Sequence, residues 1–212
     1  MLEIIPLILG PVQTNAYLVA DTGTKVAVVI DPAWDGDFIY AKAKKRGWRI
    51  AHLWITHAHF DHLGGAAALA EACQPHPLLA LHGEDYPLWR MQGAAGLFGL
   101  HIDPGPEPDF YLEHGQTLHL GSFTFEVRHA PGHTRGHVLF YCAQAGVAFC
   151  GDVIFRGGIG RTDLPGGDYD TLMASIHSQV LTLPDETRLL SGHGPETTVK
   201  AEKSTNPFLI KE

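Results

Sequence analysis

The sequence predicts a mixed α/β (α+β) chain built as a four-layer αββα sandwich. Two observations lead there. Short runs rich in β-branched and aromatic residues, each bounded by Gly, Pro or a turn pair, recur in two sets, one before residue 56 and one after residue 116. Each set is accompanied by helical stretches, so two sheets packed face to face with helices outside account for both. No low-complexity segment or interdomain linker interrupts the 212 residues, and one domain spanning 1–212 is expected.

The elements follow in order. Residues 2–9 and 16–20 read as strands separated by the turn signal Gly10-Pro11, and residues 25–30 form a third that ends at Asp31-Pro32. Residues 38–46 are amphipathic, with Gly47 placed to stop the helix. A strand over 50–55 leads into a histidine-rich loop, and an Ala/Leu helix covers 65–72. The stretch from His82 to Pro108 reads as a helix followed by a Gly/Pro-rich passage. Strand patterns resume at 117–120, 123–128, 138–141 and 147–149. After a loop over 157–167, Asp168 is placed to cap a helix reaching about Val180. A strand at 188–190, the loop Gly192-His193-Gly194 and a short helix close the chain.

Composition narrows the function. Hydrophobic residues make up 45% and charged residues 18%, ordinary globular values. A formal net charge of -8 and the lack of any Lys/Arg-rich run argue against nucleic acid or an anionic membrane as the partner. The apolar run 4–9 is too short to span a bilayer, and Glu3 stands where a leader would carry basic residues, so a soluble cytoplasmic protein is expected. The three cysteines, Cys73, Cys142 and Cys150, form no Cys-x-x-Cys pair. If a hairpin turns at 144–146, Cys142 falls opposite Val147 and register keeps the two thiols apart, leaving all three as small buried hydrophobes.

Histidine is the outlier, with 14 residues. Residues 57–62 read His-Ala-His-Phe-Asp-His directly after the apolar run Leu53-Trp54-Ile55. Mixed N and O donors at this density suit a borderline metal such as zinc or iron, and a strand delivering the loop holds them still. Three further candidates lie on Gly-bounded loops after strands: His133 in Pro-Gly-His-Thr, Asp152 after Cys150-Gly151, and His193 between Gly192 and Gly194. Taken singly these three are ordinary loop residues; together with the hexapeptide they supply the roughly seven ligands, including a bridging carboxylate, that a two-metal centre needs.

Thr56-His57-Ala58-His59-Phe60-Asp61-His62, Pro131-Gly132-His133-Thr134, Gly151-Asp152 and Gly192-His193-Gly194 together resemble the metallo-β-lactamase superfamily, over essentially the whole chain and in the family's motif order. The short single-domain, glyoxalase II-like hydrolases are the group matched best, and 160–168 and Asn206-Pro207-Phe208 look like that group too. The resemblance implies the αββα metallo-β-lactamase fold and two divalent metal ions, zinc first, with iron and manganese also accepted by this donor set. It assigns one ion to His57, His59 and His133 and the other to Asp61, His62 and His193, with Asp152 bridging and Asp61 also orienting or deprotonating the bridging water. Asp31, His137 and Arg161 are candidates for supporting the ligands or touching substrate, Arg161 being equally placed for a salt bridge to Asp163 or Asp168.

The activity implied is hydrolysis of a small-molecule acyl-thiol of the S-lactoylglutathione kind. A thiol with pKa about 8.5 leaves as thiolate without a strong general acid, which suits a site made of metal ligands. Full-length glyoxalase II carries a C-terminal helical domain that supplies much of its glutathione site, and here only residues 196–212 follow the last motif; Lys200 and Lys203 are the cations within them. Two other functions fit parts of the pattern. A mononuclear iron persulfide dioxygenase would use His57, His133 and Asp152 alone, and a non-catalytic metal-stabilised binding protein would show a closed or incomplete site.

Overall fold

In the computed structural model, which describes residues 1–210, six strands form the first sheet in sequence order: β1 (Leu2–Leu9), β2 (Thr14–Asp21), β3 (Val26–Ile30), β4 (Arg49–Trp54), β5 (Leu78–His82) and β6 (Phe110–Leu112). The first three pair antiparallel and β3 to β6 pair parallel. The second sheet contains β7 (Thr117–Leu120), β8 (Phe123–His129), β9 (Val138–Cys142), β10 (Val147–Gly151), β13 (Arg188–Ser191) and β14 (Thr197–Thr198), in the order β14-β13-β10-β9-β8-β7. A small hairpin, β11 (Ile154–Phe155) and β12 (Gly158–Ile159), stands apart. The helices are α1 (Gly36–Lys45), α2 (Phe60–Leu63), α3 (Ala66–Ala72), α4 (Tyr86–Arg90), α5 (Tyr169–Ser175) and α6 (Val199–Thr205).

Side-chain alternation creates the four layers. All of β2 is buried. Its Ala16, Leu18 and Ala20 join Ile39 and Ala43 of α1 and Ala66 and Leu69 of α3, whereas Tyr17 and Val19 point the other way. There they meet Trp54, Phe125, Phe140 and Phe149 between the sheets. Strands β9 and β10 alternate likewise: Val138, Phe140, Val147 and Phe149 face the inter-sheet core, and Leu139, Ala148 and Cys150 pack beneath Leu172, Ile176 and Val180 of the α5 region. A strand apolar on both faces lies inside a sandwich, and three apolar clusters between four layers give the αββα arrangement expected.

Cys142 pairs with Val147 across the β9–β10 turn, and all three cysteines are buried and free. Asp168 caps α5 by accepting from Thr171 N at 2.8 Å. The expected long helix to Val180 continues as a π-helical turn over Ile176–Val180. Three features depart from expectation. Strands β5 and β6 lie where no strand pattern was read, because each is short and exists through parallel pairing with a distant partner. The segment after His82 is a 3-10 turn, the single-turn α4 and a kinked 3-10 stretch over Gln92–Phe98, not one helix. The loop over 157–167 begins in the β11–β12 hairpin, which α6 fastens: Asn206 Nδ2 donates to the Gly158 carbonyl at 3.0 Å, and buried Glu202 accepts from Gly157 N at 2.9 Å. Lys211 and Glu212, within the span expected for the domain, lie outside the described residues.

Candidate metal centre

The hexapeptide loop is held from below by Asp31, at the end of β3. Its backbone sits in the left-handed region at φ 50, unusual for a non-glycine residue and costing about 1–3 kcal/mol. That turn brings its carboxylate to Thr56 N (2.7 Å), Thr56 Oγ1 (2.6 Å) and His62 Nδ1 (2.9 Å). The Thr56 hydroxyl spends its proton on Asp31 and faces His57 Nδ1 at 3.1 Å as an acceptor. His57 therefore carries its proton on Nδ1 with a bare Nε2 turned inward, and His62 holds a proton on Nδ1 and turns its Nε2 inward. His133 does the same, donating from Nδ1 to the Arg161 carbonyl at 2.7 Å.

The inward atoms form two groups. His57, His59 and His133 converge in one, with His59 Nδ1 2.9 Å from His133 Nε2. Asp61, His62 and His193 form the other; Asp61 Oδ2 lies 3.5 Å from His62 Nε2 and 3.3 Å from His193 Nε2. Asp152 stands between them, Oδ2 3.7 Å from His133 Nε2 and 3.5 Å from His193 Nε2, Oδ1 3.4 Å from His62 Nε2. Thus all seven candidate ligands named from the sequence meet at one place. A third grouping, Asp31 with His57 and His62, is of another kind, since the Asp31 carboxylate is already taken up by Thr56 and His62 Nδ1.

Two properties test whether a metal suits this arrangement. His57 Nε2, His62 Nε2 and Asp152 Oδ1 are buried without a hydrogen-bond partner. Orphaned buried polar atoms cost about 1–3 kcal/mol each, so their convergence is explained by a cation that coordinates them. Electrostatics divide the groups. Burial, reinforced by neighbouring imidazoles, pushes His57 well below the usual histidine range and His59 down to about 3, so both are neutral and ligand-ready. In the other group burial acts against charge, but Asp61, Asp152 and Asp31 outweigh it at His62, which rises well above the ordinary value, and hydrogen bonds to Asp152 and Asp61 raise His193 to about 9. Burial raises the carboxyls of Asp61 and Asp152, and the His62 charge more than offsets it, leaving Asp61 at about 2 and Asp152 well below its usual range. Protons on His62 and His193 occupy the space a second cation would take. The donor set fits two metals.

Of the supporting candidates, Asp31 holds the loop as described. His137 is fully buried, stacks on His57 with centroids 4.7 Å apart, and accepts from Asp152 N through Nε2 at 3.0 Å. Arg161 serves the centre through its main chain; its guanidinium pairs with Asp163 at 2.7 Å on the surface. Lys200 and Lys203 pair with Glu186 and Asp185. Among the described residues, His52, His76, His82, His101, His114, His119, His129 and His177 belong to none of the metal-competent groupings.

Three residues escaped the sequence reading. Thr14 Oγ1 donates to Asp61 Oδ2 at 2.7 Å. Asn15 grips the His193 loop, its backbone N on the Gly192 carbonyl (2.7 Å) and Nδ2 on the Ser191 and Gly194 carbonyls (2.9 and 2.8 Å). Asp85, buried just before α4, accepts from Ala58 N (2.9 Å), Thr134 Oγ1 (2.8 Å) and Gly136 N (2.7 Å), tying the hexapeptide loop to the His133 loop. The Thr-Asn pair opening a strand was the available signal for the first two. Asp85 offered none.

This fold and its cluster of seven candidate ligands mark a metallo-hydrolase of the metallo-beta-lactamase superfamily, and the chain belongs to that superfamily, whose pattern matches residues 9–193. Its curated relatives include the probable metallo-hydrolase YqgX of Bacillus subtilis (strain 168), 40% identical over 205 residues and covering 94% of both chains. Hydroxyacylglutathione hydrolase GloC of Haemophilus influenzae (strain ATCC 51907 / DSM 11121 / KW20 / Rd) is 37% identical over 209 residues, covering 98% of this chain and 97% of its own. Among solved structures, BLEG-1 B3 metallo-beta-lactamase superposes with a TM-score of 0.91 at 38% identity over 100% of both chains. TTHA1623 in a di-iron-bound form gives 0.88 at 44% identity, covering 97% of this chain and 100% of the other.

Proposed function

We propose that this protein is a dinuclear metal-dependent thioesterase acting on S-lactoylglutathione or a similar acyl-thiol. The observation that carries the reading is Asp152 standing between two complete three-ligand groups. Two divalent ions, held by His57, His59 and His133 and by Asp61, His62 and His193, would supply hydroxide at neutral pH and an electrophile for the carbonyl oxygen. The chain's own groups do the rest. Asp61 is pinned through Oδ2 by Thr14, which leaves its other oxygen to orient the attacking water or take its proton. Asp31, Thr56 and the Arg161 carbonyl keep His57, His62 and His133 in the ligating tautomer. Every ionisable group in the cluster is a ligand or is buried behind one, so a leaving group that departs without a proton, a thiolate, is the best match. The hydroxyacylglutathione hydrolase name of the GloC relative supports the same substrate class.

Zinc is our first choice of metal, and the di-iron form of TTHA1623 brings iron close behind it. A mononuclear dioxygenase using His57, His133 and Asp152 would leave Asp61, His62 and His193 without a task, and their joint convergence favours the hydrolase. A second reading, opening of a β-lactam ring, is favoured by the 38% identity to BLEG-1. The test is elemental analysis of the purified protein with S-lactoylglutathione, a chromogenic cephalosporin and glutathione persulfide assayed on the same sample. About two metals per chain with thioester turnover, abolished in Asp61→Asn while the fold persists, is the expected result. One iron with oxygen uptake, or cephalosporin turnover without thioester hydrolysis, would overturn it.

A further inference from the structure

Beside the cluster lies a cavity of about 440 Å³ that the chemistry above does not use. His59 forms part of its wall, so its inner end opens on the group formed by His57, His59 and His133. The rest of the wall comes from three segments: Leu88, Met91 and Leu97 from the one after β5, Thr134 and Arg135 from the His133 loop, and Pro165 from the loop beyond β12. Met91 and Leu97 are 69% and 64% exposed, although they belong to a segment seated directly on the metal loop. A Cβ on Gly93 would strike the Phe60 backbone, and the Phe98 ring packs on Phe60 with centroids 5.2 Å apart. Ala94 holds a left-handed φ of 62 in the same place, a conformation kept only where its surroundings enforce it.

Large exposed apolar side chains on an anchored backbone, next to a reactive centre, mark a ligand surface. We infer that this cavity receives an apolar group attached to the scissile carbonyl or to its sulfur, making the substrate a hydrophobic acyl-thiol. The inference rests on the hydrolase reading and narrows its substrate. The glutathionyl half of a thioester, with two carboxylates and an ammonium, is a poor occupant of such walls. The lining carries one cation, Arg135, against two carboxyl groups, Glu84 and Asp85, and Asp85 is already taken up by Ala58 N, Thr134 Oγ1 and Gly136 N, so the lining offers no cationic pair for the two glutathionyl carboxylates.

The test compares kcat/KM along two series on the metal-loaded enzyme: S-acyl-N-acetylcysteamines from acetyl to octanoyl, and thioacetates of alkyl thiols of matching length. Burying each methylene is expected to raise kcat/KM about fourfold in one series until the cavity is filled. The series that rises tells which half of the substrate enters. Leu97→Asp and Met91→Ser, both at exposed positions, are expected to flatten that rise. Leu78→Ser, at the opposite end of β5 from His82, is expected to keep it. Flat profiles in both series, or a rise indifferent to Leu97→Asp, would overturn the inference. If no thioester is turned over, the hydrolase reading falls, and calorimetry with S-methyl and S-octyl thioethers of N-acetylcysteamine decides separately. Tighter binding of the octyl compound that Leu97→Asp abolishes would sustain the apolar site, and equal affinities would refute it.

Discussion

Replacing Asp85 by alanine removes one carboxylate and strands three donors, Ala58 N, Thr134 Oγ1 and Gly136 N, in a buried place. Hydrogen bonds to a charged acceptor contribute about 1.5–3 kcal/mol each, a gross loss of several kcal/mol. Part is recovered, because burial already penalises this carboxylate and pushes its pKa up against the three bonds. The net expectation is about 3–4 kcal/mol of stability, in the range seen when one partner of a buried charged contact is deleted. The cost also has a location. Asp85 links the loop bearing His57 and His59 to the loop bearing His133, so metal affinity of that group is expected to fall about 10–100-fold, as for other residues that orient ligands from behind. Urea unfolding of the metal-free protein, followed by tryptophan fluorescence, measures the first effect, and metal titration the second. Asp85→Asn keeps one acceptor oxygen but turns an NH₂ toward a donor, and it falls between alanine and wild type. An alanine variant within about 1 kcal/mol of wild type, with unchanged metal binding, would refute the reasoning.

Thr14→Val deletes the hydroxyl that pins Asp61 and is expected to lower kcat about tenfold or more, whereas Thr14→Ser restores it; steady-state kinetics at fixed metal loading reads both. Gly192→Ala would press a methyl onto Asp152 Oδ1 and within 2.6 Å of His62 Cε1, so elemental analysis is expected to show metal lost although the far-ultraviolet spectrum is unchanged. Asp21 accepts from Ser122 N and Oγ and from Gly23 N, and these bonds hold its pKa at about 2 against an ordinary 3.8. A depressed carboxyl pKa adds stability that is complete above the unfolded value and fades as pH falls through the folded one. The melting-temperature gap between wild type and Asp21→Asn is therefore expected to be constant above about pH 5 and to close as pH drops from 3.8 toward 2. A gap that stays open in acid would show that Asp21 acts by other means.

What the sequence made legible is chemical and local. The hexapeptide could be seen because its donors fall within six positions, and His133, Asp152 and His193 because each sits beside glycine at a strand end. The layers could be seen because apolar strand runs recur in two sets with helices beside them, and the runs around Val19 and Phe140 do lie buried on both faces in the fold. Non-local facts could not. Strand β6 is three residues long and owes its existence to pairing with β5. Asp85 works through partners 27, 49 and 51 positions away, in a stretch whose own pattern resembles an ordinary helix start. Arg161 drew notice for its charge, but its carbonyl is what reaches His133.

The four candidate ligands of the hexapeptide extend from the first sheet and the candidates His133, Asp152 and His193 from the second, with the Trp54–Phe125–Phe140 core between them. An ion bound by them would be a cross-link between two halves of the chain, favouring only the state in which both sheets are docked. Damage along that seam is then expected to register as weakened metal affinity even where no candidate ligand is touched. Chelator sensitivity in a variant of this protein is as much a readout of sheet docking as of coordination. The converse also holds: metal added during refolding should rescue seam mutants that are otherwise intact at the centre.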